Sequence, residues 1–387
     1  MQLSVSSDLD LIEHEWRCFE QRAECTPFQT FEWLSAWHHC IGNSAGVKPA
    51  IVIGRQCNGE LLFILPLAIE RALFYRRCVF LGHAVCDYNG PLLATEFPRV
   101  VPPADFAKWA RTVVAFIQKC PEYKSDVVSF DKMPEKIGQQ ANPLLALATA
   151  LNPDRAYRTN LGVDWDSFYS TKRSSARRKR DRNRYRRLAD KGELRVSTLN
   201  DSEERQRTLK ILFNQKSRIF ARSGVSNLFD KPGYSDFYLY IAARAGPLVH
   251  ISRLDVGSTC AAVNLGLRFR RCYFDILKSY DEGLERLGPG VFYLQELMRY
   301  AISQRFNYFD MTIGDHPYKL EWADEELRLY DHVAIAGCLG LLGAAQIKLV
   351  SRAKRLLKKS PLLWRLARRF KSVVLFLISS IRRKMSA

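Results

Sequence analysis

The residues best placed to do chemistry lie between positions 273 and 319. An alternating apolar segment, 273–279, runs into a polar loop that closes on Gly288-Pro289-Gly290, and a long amphipathic helix pattern follows over 291–305. A strand, a glycine turn and a helix in that order present free backbone N–H groups and the positive end of a helix dipole to an anion. Twenty residues past Gly290 stands Asp310, inside a strand pattern at 307–311, followed by His316, Tyr318 and Lys319. A carboxylate withdrawn from water has its pKa raised toward neutrality and can act as a general base. His316 titrates near neutrality without help, and Lys319 suits an oxyanion or a phosphate. Each has a plain alternative. Asp310 could be a capping or ion-paired carboxylate, Tyr318 a core residue, and Lys319 a surface partner of Glu321 or Asp324. Gly-Pro-Gly could be only a tight loop.

These groups need elements to hold them. In the second half, helix patterns at 161–197 and 203–222 precede apolar runs at 248–254, 260–268 and 272–279, then a helix at 291–303 and a strand at 308–312. Helix, helix, antiparallel strands, helix, strand is an α+β order. The first half begins with a helix over residues 31–37 with Thr30 as its N-cap, then a hairpin of 50–54 and 61–70 joined through Asn58-Gly59. An apolar run at 78–82, a helix at 106–119 and a strand at 126–130 follow. Pro66 marks the second hairpin strand as an edge or a bulge. A chain of 387 residues is expected to form two domains, and no repeat with a period of 20 to 50 residues points to a solenoid.

The net charge of +19 is unevenly spread. From His332 onward there are thirteen Lys or Arg and no Asp or Glu, which leaves +6 for the rest. In that tail Leu349, Val350, Ala353, Leu356 and Leu357 form an apolar stripe, with Lys348, Arg352, Arg355, Lys358 and Lys359 between them. Pro361 kinks the pattern, and Leu362, Leu363, Leu366 and Phe370 resume it. The tail therefore reads as a basic amphipathic helix lying on an anionic membrane surface. The apolar run at 373–378 is too short for a span, which needs about 20 residues. A second basic run, 172–187, sets ten cations against Asp181 and attracts polyanions. Its single aromatic, Tyr185, disfavours a base-stacking nucleic-acid platform.

Other chemistries find no support. The cysteines include no C-x-x-C pair, no metal-ligand spacing is present, and a phosphate-binding P-loop is missing. Gly42-Asn43-Ser44-Ala45-Gly46 satisfies G-x-S-x-G, but it follows a helix pattern and reads as a loop. Unpaired cysteines and a start with neither a basic nor an apolar leader region read as a reduced, cytoplasmic chain, peripheral on the inner membrane face through its tail.

Ordered along the chain are Pro27-Phe28, Trp33 and Trp37, Leu65-Pro66-Leu67, Leu81-Gly82 and Asp87-Tyr88. The basic helix, Gly288-Pro289-Gly290, Phe309-Asp310, Gly314-Asp315, Tyr318-Lys319 and Trp322 follow. This set resembles the CelD/BcsL-type acetyltransferase family of the Gcn5-related N-acetyltransferase (GNAT) superfamily, with a layout similar to FemAB-like aminoacyltransferases. The resemblance runs from Thr26 to Trp322. It implies two GNAT-like domains, 1–158 and 159–331, mixed sheets flanked by helices, with the tail at 332–387. It also implies acetyl-CoA or another acyl-CoA as co-substrate, held by Ser279, Arg286, Gly288 and Gly290, and no metal. Asp310 or His316 would activate the acceptor, Tyr318 would protonate the departing thiolate, and Lys319 would stabilise charge. The implied acceptor is a sugar or lipid-linked sugar in exopolysaccharide or cellulose-type envelope synthesis. Two departures stand out against the family's Gln/Arg-x-x-Gly-x-Gly/Ala turn. Glu285 replaces the first residue, and Pro289 removes an N–H. The alternatives are an aminoacyl-tRNA-dependent transferase, using the run at 172–187, and a membrane-associated scaffold on a decayed transferase fold.

Overall fold

The computed structural model describes residues 1–359 apart from Leu73, Val225 and Ala245. Pro361, the resumed stripe and the apolar run 373–378 lie outside the described residues. The first half contains β1 (Gln2–Ser6), α1 (Leu9–Arg22), α2 (Phe31–Trp37), β2 (Lys48–Arg55), β3 (Leu61–Arg71), β4 (Arg76–Phe80) and β5 (Leu92–Leu93). It continues with α3 (Phe97–Val100), α4 (Phe106–Lys119), β6 (Val127–Pro134), the small hairpin β7 (Lys136–Ile137) and β8 (Gln140–Ala141), and β9 (Thr149–Asn160). The second half holds α5 (Trp165–Lys172), α6 (Ser175–Ala189), β10 (Leu194–Leu199), α7 (Ser202–Ser223), α8 (Tyr234–Arg244), β11 (Val249–Val256), β12 (Thr259–Phe269) and β13 (Cys272–Tyr280). Then come α9 (Pro289–Ser303), β14 (Tyr308–Ile313), α10 (Pro317–Leu320), β15 (Glu325–Ile335) and α11 (Gly340–Lys359).

One mixed sheet of thirteen strands runs β1-β2-β3-β4-β6-β15-β9-β14-β13-β12-β11-β10, with β5 alongside β3. It contains the same pattern twice. β1 to β4 are successively antiparallel and β4 then pairs parallel with β6; β10 to β13 repeat this, and β13 pairs parallel with β14. The halves exchange their closing strands. β15 pairs with β6, β9 pairs with β14, and β9 and β15 pair with each other at the centre. The expected boundaries at 158/159 and 331/332 therefore fall inside these exchanged strands.

Local sequence explains most elements. β3 reads Leu-Leu-Phe-Ile-Leu-Pro-Leu-Ala-Ile and is buried throughout, as a strand covered on both faces must be. α4 buries Phe106, Trp109, Ala110, Val113 and Ile117 on one stripe. Asn58-Gly59 turns the β2–β3 hairpin with Gly59 at φ +88°. Pro66, however, makes β3 neither an edge nor a bulged strand there, since β3 lies between β2 and β4. Along one side β4 pairs from Leu67 and β5 pairs at Phe63–Ile64, so the missing N–H falls in the gap between two partners.

The helix pattern expected over 161–197 breaks into α5 and α6, because Ser174 caps α6 by accepting the Arg177 N–H. That pattern's last residues are β10. His332, expected to open the tail, is buried inside β15. One core fills the first half and runs under α7 and α8; a second lies beneath α5, α6 and α9 around Tyr273, Tyr293, Met298, Phe309 and Trp322.

Candidate active site

The site begins where two parallel strands part. β13 and β14 pair only at Cys272–Tyr308, Tyr273–Phe309 and Phe274–Asp310. Beyond Phe274 the β14-facing edge of β13 has no strand partner among the described residues. β14 meanwhile bulges against β9 between Asp310 and Ile313, with Thr312 at φ +55°. A β-branched residue there is strained by roughly 1–3 kcal/mol, and such strain gathers at functional sites. α9 leaves the end of β13 through the Gly288 turn, so the opening is a wedge with a strand edge on one side and a helix N-terminus at its far end.

Buried charge fills the point of the wedge. Lys319, presented by the short α10, is 3% exposed and donates to the Thr312 and Ile313 carbonyls at 3.0 and 2.8 Å. Burial lowers its pKa to about 8 although Asp275, Asp87 and Asp310 all favour the charge. Lys278 pairs with Asp275 at 2.7 Å, and Asn264 donates to the other Asp275 oxygen at 2.7 Å. Lys216 reaches in from α7, and burial lowers it too, to about 8. Tyr318 lies under the Lys278 ammonium, 5.1 Å from ring centre to Nζ, and stacks on His316. Loss of hydration and the field of Lys319, Lys216 and Lys278 lower His316, so this imidazole is neutral at pH 7.

Asp310 sits on the floor, 2% exposed. One carboxylate oxygen accepts from the Tyr88 hydroxyl and the Thr312 N–H, both at 2.7 Å. Burial raises its pKa to about 6, against the pull of those donors and of Arg158 and Lys319. It lines a cavity of about 770 Å³ between the halves, together with Tyr88, Arg158, Arg271, Asn307, Tyr308 and Glu326. Asp87, beside Tyr88, is also raised by burial; Lys132, Thr312, Lys319 and the Ile313 N–H oppose that rise.

At the far end, Gly288 takes the left-handed conformation at φ +69°. Its carbonyl accepts the Val291 and Phe292 N–H groups at 3.1 and 3.3 Å. With Pro289 lacking a donor, the Gly290 N–H is the first-turn donor without a backbone acceptor among the described residues. Basic α6 leans over this turn. A Cβ at Gly288 would meet Arg184 at 3.5 Å, one at Gly290 would meet the Tyr280 ring at 3.4 Å, and Arg187 donates to the Arg286 carbonyl at 3.2 Å. Glu285 is neutralised by Arg222 at 2.8 Å and accepts from Tyr280 at 3.2 Å. An open strand edge, a glycine cradle with a free N–H and an arginine wall fit a thioester donor with a pyrophosphate.

The structure therefore brings Asp310, His316, Tyr318 and Lys319 together and puts Gly288 and Gly290 at one end of the same wedge. The Arg286 side chain is exposed beside that turn. Ser279 is fully buried and donates to Gln215 at 2.7 Å. Sequence reasoning gave no role to Asp87, Tyr88, Lys216, Asp275 or Lys278. Asp87-Tyr88 enters the sequence argument only as a member of the ordered set that carries the family resemblance. Among the described residues no group of three His, Cys, Asp or Glu side chains could hold a metal ion.

Residues 175–320 match the acetyltransferase (GNAT) domain family. That stretch holds α6, the Gly288 turn, β13, β14 and Lys319. The fold is GNAT-like. By structure the chain is similar to FemX, at 10% identity and a TM-score of 0.58, over 86% of this chain and 98% of that one. It is also similar to the C-terminal domain of a putative lysylphosphatidylglycerol synthetase from Agrobacterium fabrum, at 10% identity and a TM-score of 0.52, over 88% and 95%. A conserved protein of unknown function from Bacteroides thetaiotaomicron is similar too, at 10% identity and a TM-score of 0.52, over 86% and 100%. At these identities the likeness is one of fold. No curated protein matches the sequence.

Proposed function

We propose that this GNAT-like protein is an acyl-CoA-dependent N- or O-acyltransferase that acts on a sugar or sugar-linked acceptor, as its resemblance to the CelD/BcsL-type family implies. The observation that carries the reading is the wedge between β13 and β14, with buried Lys319 at its point and the Gly290 turn at its mouth. The donor lies along the free edge of β13 with its pyrophosphate against Gly290 and Arg184. The acceptor enters the 770 Å³ cavity, whose carboxylates, guanidinium groups and Asn307 suit a polyhydroxylated molecule. Its amine or hydroxyl forms the bond to the acyl carbon and the C–S bond breaks. The acceptor proton goes to Asp310, poised at a pKa of about 6. Lys319 opposes the negative charge that develops on the acyl oxygen, and Tyr318 returns a proton to sulfur.

Isothermal titration with acetyl-CoA tests the donor site. Binding in the wild type and its loss in Gly290→Trp are expected; no binding, or equal binding in the variant, removes the reading. A second reading, transfer from an aminoacyl-tRNA, is favoured by one observation. The cationic face of α6 stands beside the Gly288 turn and would hold a nucleic acid as well as a nucleotide. It requires steeply salt-dependent tRNA binding that weakens when Arg177, Arg180 and Arg184 are reversed to Glu.

A further inference from the structure

α11 is amphipathic, yet its leucines face outward. Its first turn is seated tightly: a Cβ at Gly340 would clash with the Asp126 carbonyl oxygen, one at Gly343 would meet the Tyr75 ring at 2.7 Å, and Ala344 is buried. Beyond that turn the helix spans a cavity of about 520 Å³ rather than resting on an apolar core. The cavity is lined from below by His83, Asp87, Asp131, Lys132 and Asp331 and from above by Gln346, Ile347, Val350, Ser351 and Lys354. Tyr75 donates to Gln346 at 3.2 Å and Arg355 donates to the Leu151 carbonyl.

The apolar stripe points the other way. Leu342, Leu349 and Leu356 are 66, 68 and 60% exposed, and their spacing of seven puts them on one line of the helix. Leu341 adds to it at 66%. The stripe expected from sequence is therefore divided, with Val350 over the cavity and Leu349 and Leu356 outside. A helix seated on Gly340, Gly343 and Ala344 that exposes a leucine line has an apolar surface with no partner inside the molecule.

We propose that this outer face of α11 docks on an anionic membrane surface. Charge selects that partner. Lys348 and Arg352 flank the leucine line, and the sequence after Asp331 holds thirteen Lys or Arg and no acid, so a second copy meeting the same face would bring cations onto cations. Anionic lipid accepts both the leucines and the charge. No helix among the described residues is long and apolar enough to cross a membrane, so the contact is one of a helix lying in the interface. The claim stands or falls separately from acyl transfer.

The test is co-sedimentation of the full chain with vesicles of phosphatidylcholine and phosphatidylglycerol, beside vesicles of phosphatidylcholine alone. Binding only to the anionic vesicles is expected, weakening about tenfold or more in the triple variant Leu342→Glu, Leu349→Glu, Leu356→Glu. The double variant Lys348→Glu, Arg352→Glu leaves the leucines in place and should weaken binding and flatten its salt dependence. Circular dichroism and thermal unfolding of each variant beside the wild type report whether the body still folds. Absence of wild-type binding, or full binding by both variants, overturns the proposal. So does sedimentation velocity showing a vesicle-free dimer that the triple variant dissolves, which would make a second copy the partner.

Discussion

The sheet holds two parallel strand pairs in equivalent places, β4–β6 and β13–β14, and they have been put to different uses. Around the first, the loop after β4 folds back and is pinned. Lys132 donates to the carbonyls of His83 and Cys86, and His83 lies between Glu70 at 3.4 Å and Asp131 at 3.6 Å. Burial alone would lower His83, but Asp131 and Glu70 outweigh it and hold the ring protonated to about pH 9. Its charges are matched and locked, which is a structural arrangement. Around the second pair the strand edge is open, Thr312 is strained, and Lys319 and Asp310 are held at pKa values near 8 and 6. Duplicated geometry thus permits transfer chemistry but does not impose it; the function proposed above assigns that chemistry to the pair whose buried lysine and carboxylate are displaced toward neutrality.

Substitutions in each half should break the comparison in opposite ways. The largest effect is expected from Asp310→Asn, a loss of about 10²–10⁴ in kcat together with the acid limb near pH 6 in the rate profile. The same variant should be more stable at pH 8. Asp310 titrates at about 6 in the fold against 3.8 as its reference, so its contribution to stability declines as pH rises from about 4 through 6, by about 3 kcal/mol in total. Denaturant melts at pH 4 and pH 8 check this, and a variant that is less stable at both would make Asp310 a structural residue.

Lys319→Met should cost about 10²–10³ in kcat while leaving acetyl-CoA affinity within a few-fold. A change confined to the Michaelis constant would move Lys319 to donor binding. His83→Gln should do the reverse, leaving turnover alone and lowering stability. The raised His83 pKa contributes stability that is complete below about pH 6.5 and is lost as pH rises through 9. The variant's deficit should therefore shrink from about 3 kcal/mol at pH 6 to near zero above pH 10. Smallest is Thr312→Gly, which relieves the positive φ and should change stability by about 1 kcal/mol or less, in either direction. A loss several times larger would mean that the Thr312 side chain supports the bulge.

The spatial neighbourhood of the candidate site was legible where short spans carry it. Gly288, Gly290, Asp310, Tyr318 and Lys319 fall within about thirty residues, and a strand, a turn and a helix dictate their neighbourhood. What was not legible came from far away. Tyr88 reaches Asp310 across 222 positions, Asp87 comes as far to meet Thr312 and the Ile313 N–H, and Lys216 arrives on a helix whose periodicity marks only its buried side. In the fold, alternation and turn residues located the strands well. The break before α6 depended on a single serine cap inside a run of cations. Pro66 misled because its tolerance depends on which partner strand stops where, a fact of tertiary pairing. The exchange of β9 and β15 leaves no periodic trace at all.

That exchange sets a timetable for the growing chain. β6 ends at Pro134, but its neighbour β15 begins at Glu325, so the amino-terminal sheet keeps an unpaired edge until nearly the whole second half has been synthesised. Pairings this distant close slowly, and an exposed edge invites association in the interval. A nascent chain halted before β15 should therefore be protease-sensitive in both halves, and folding should become cooperative only when that strand leaves the ribosome.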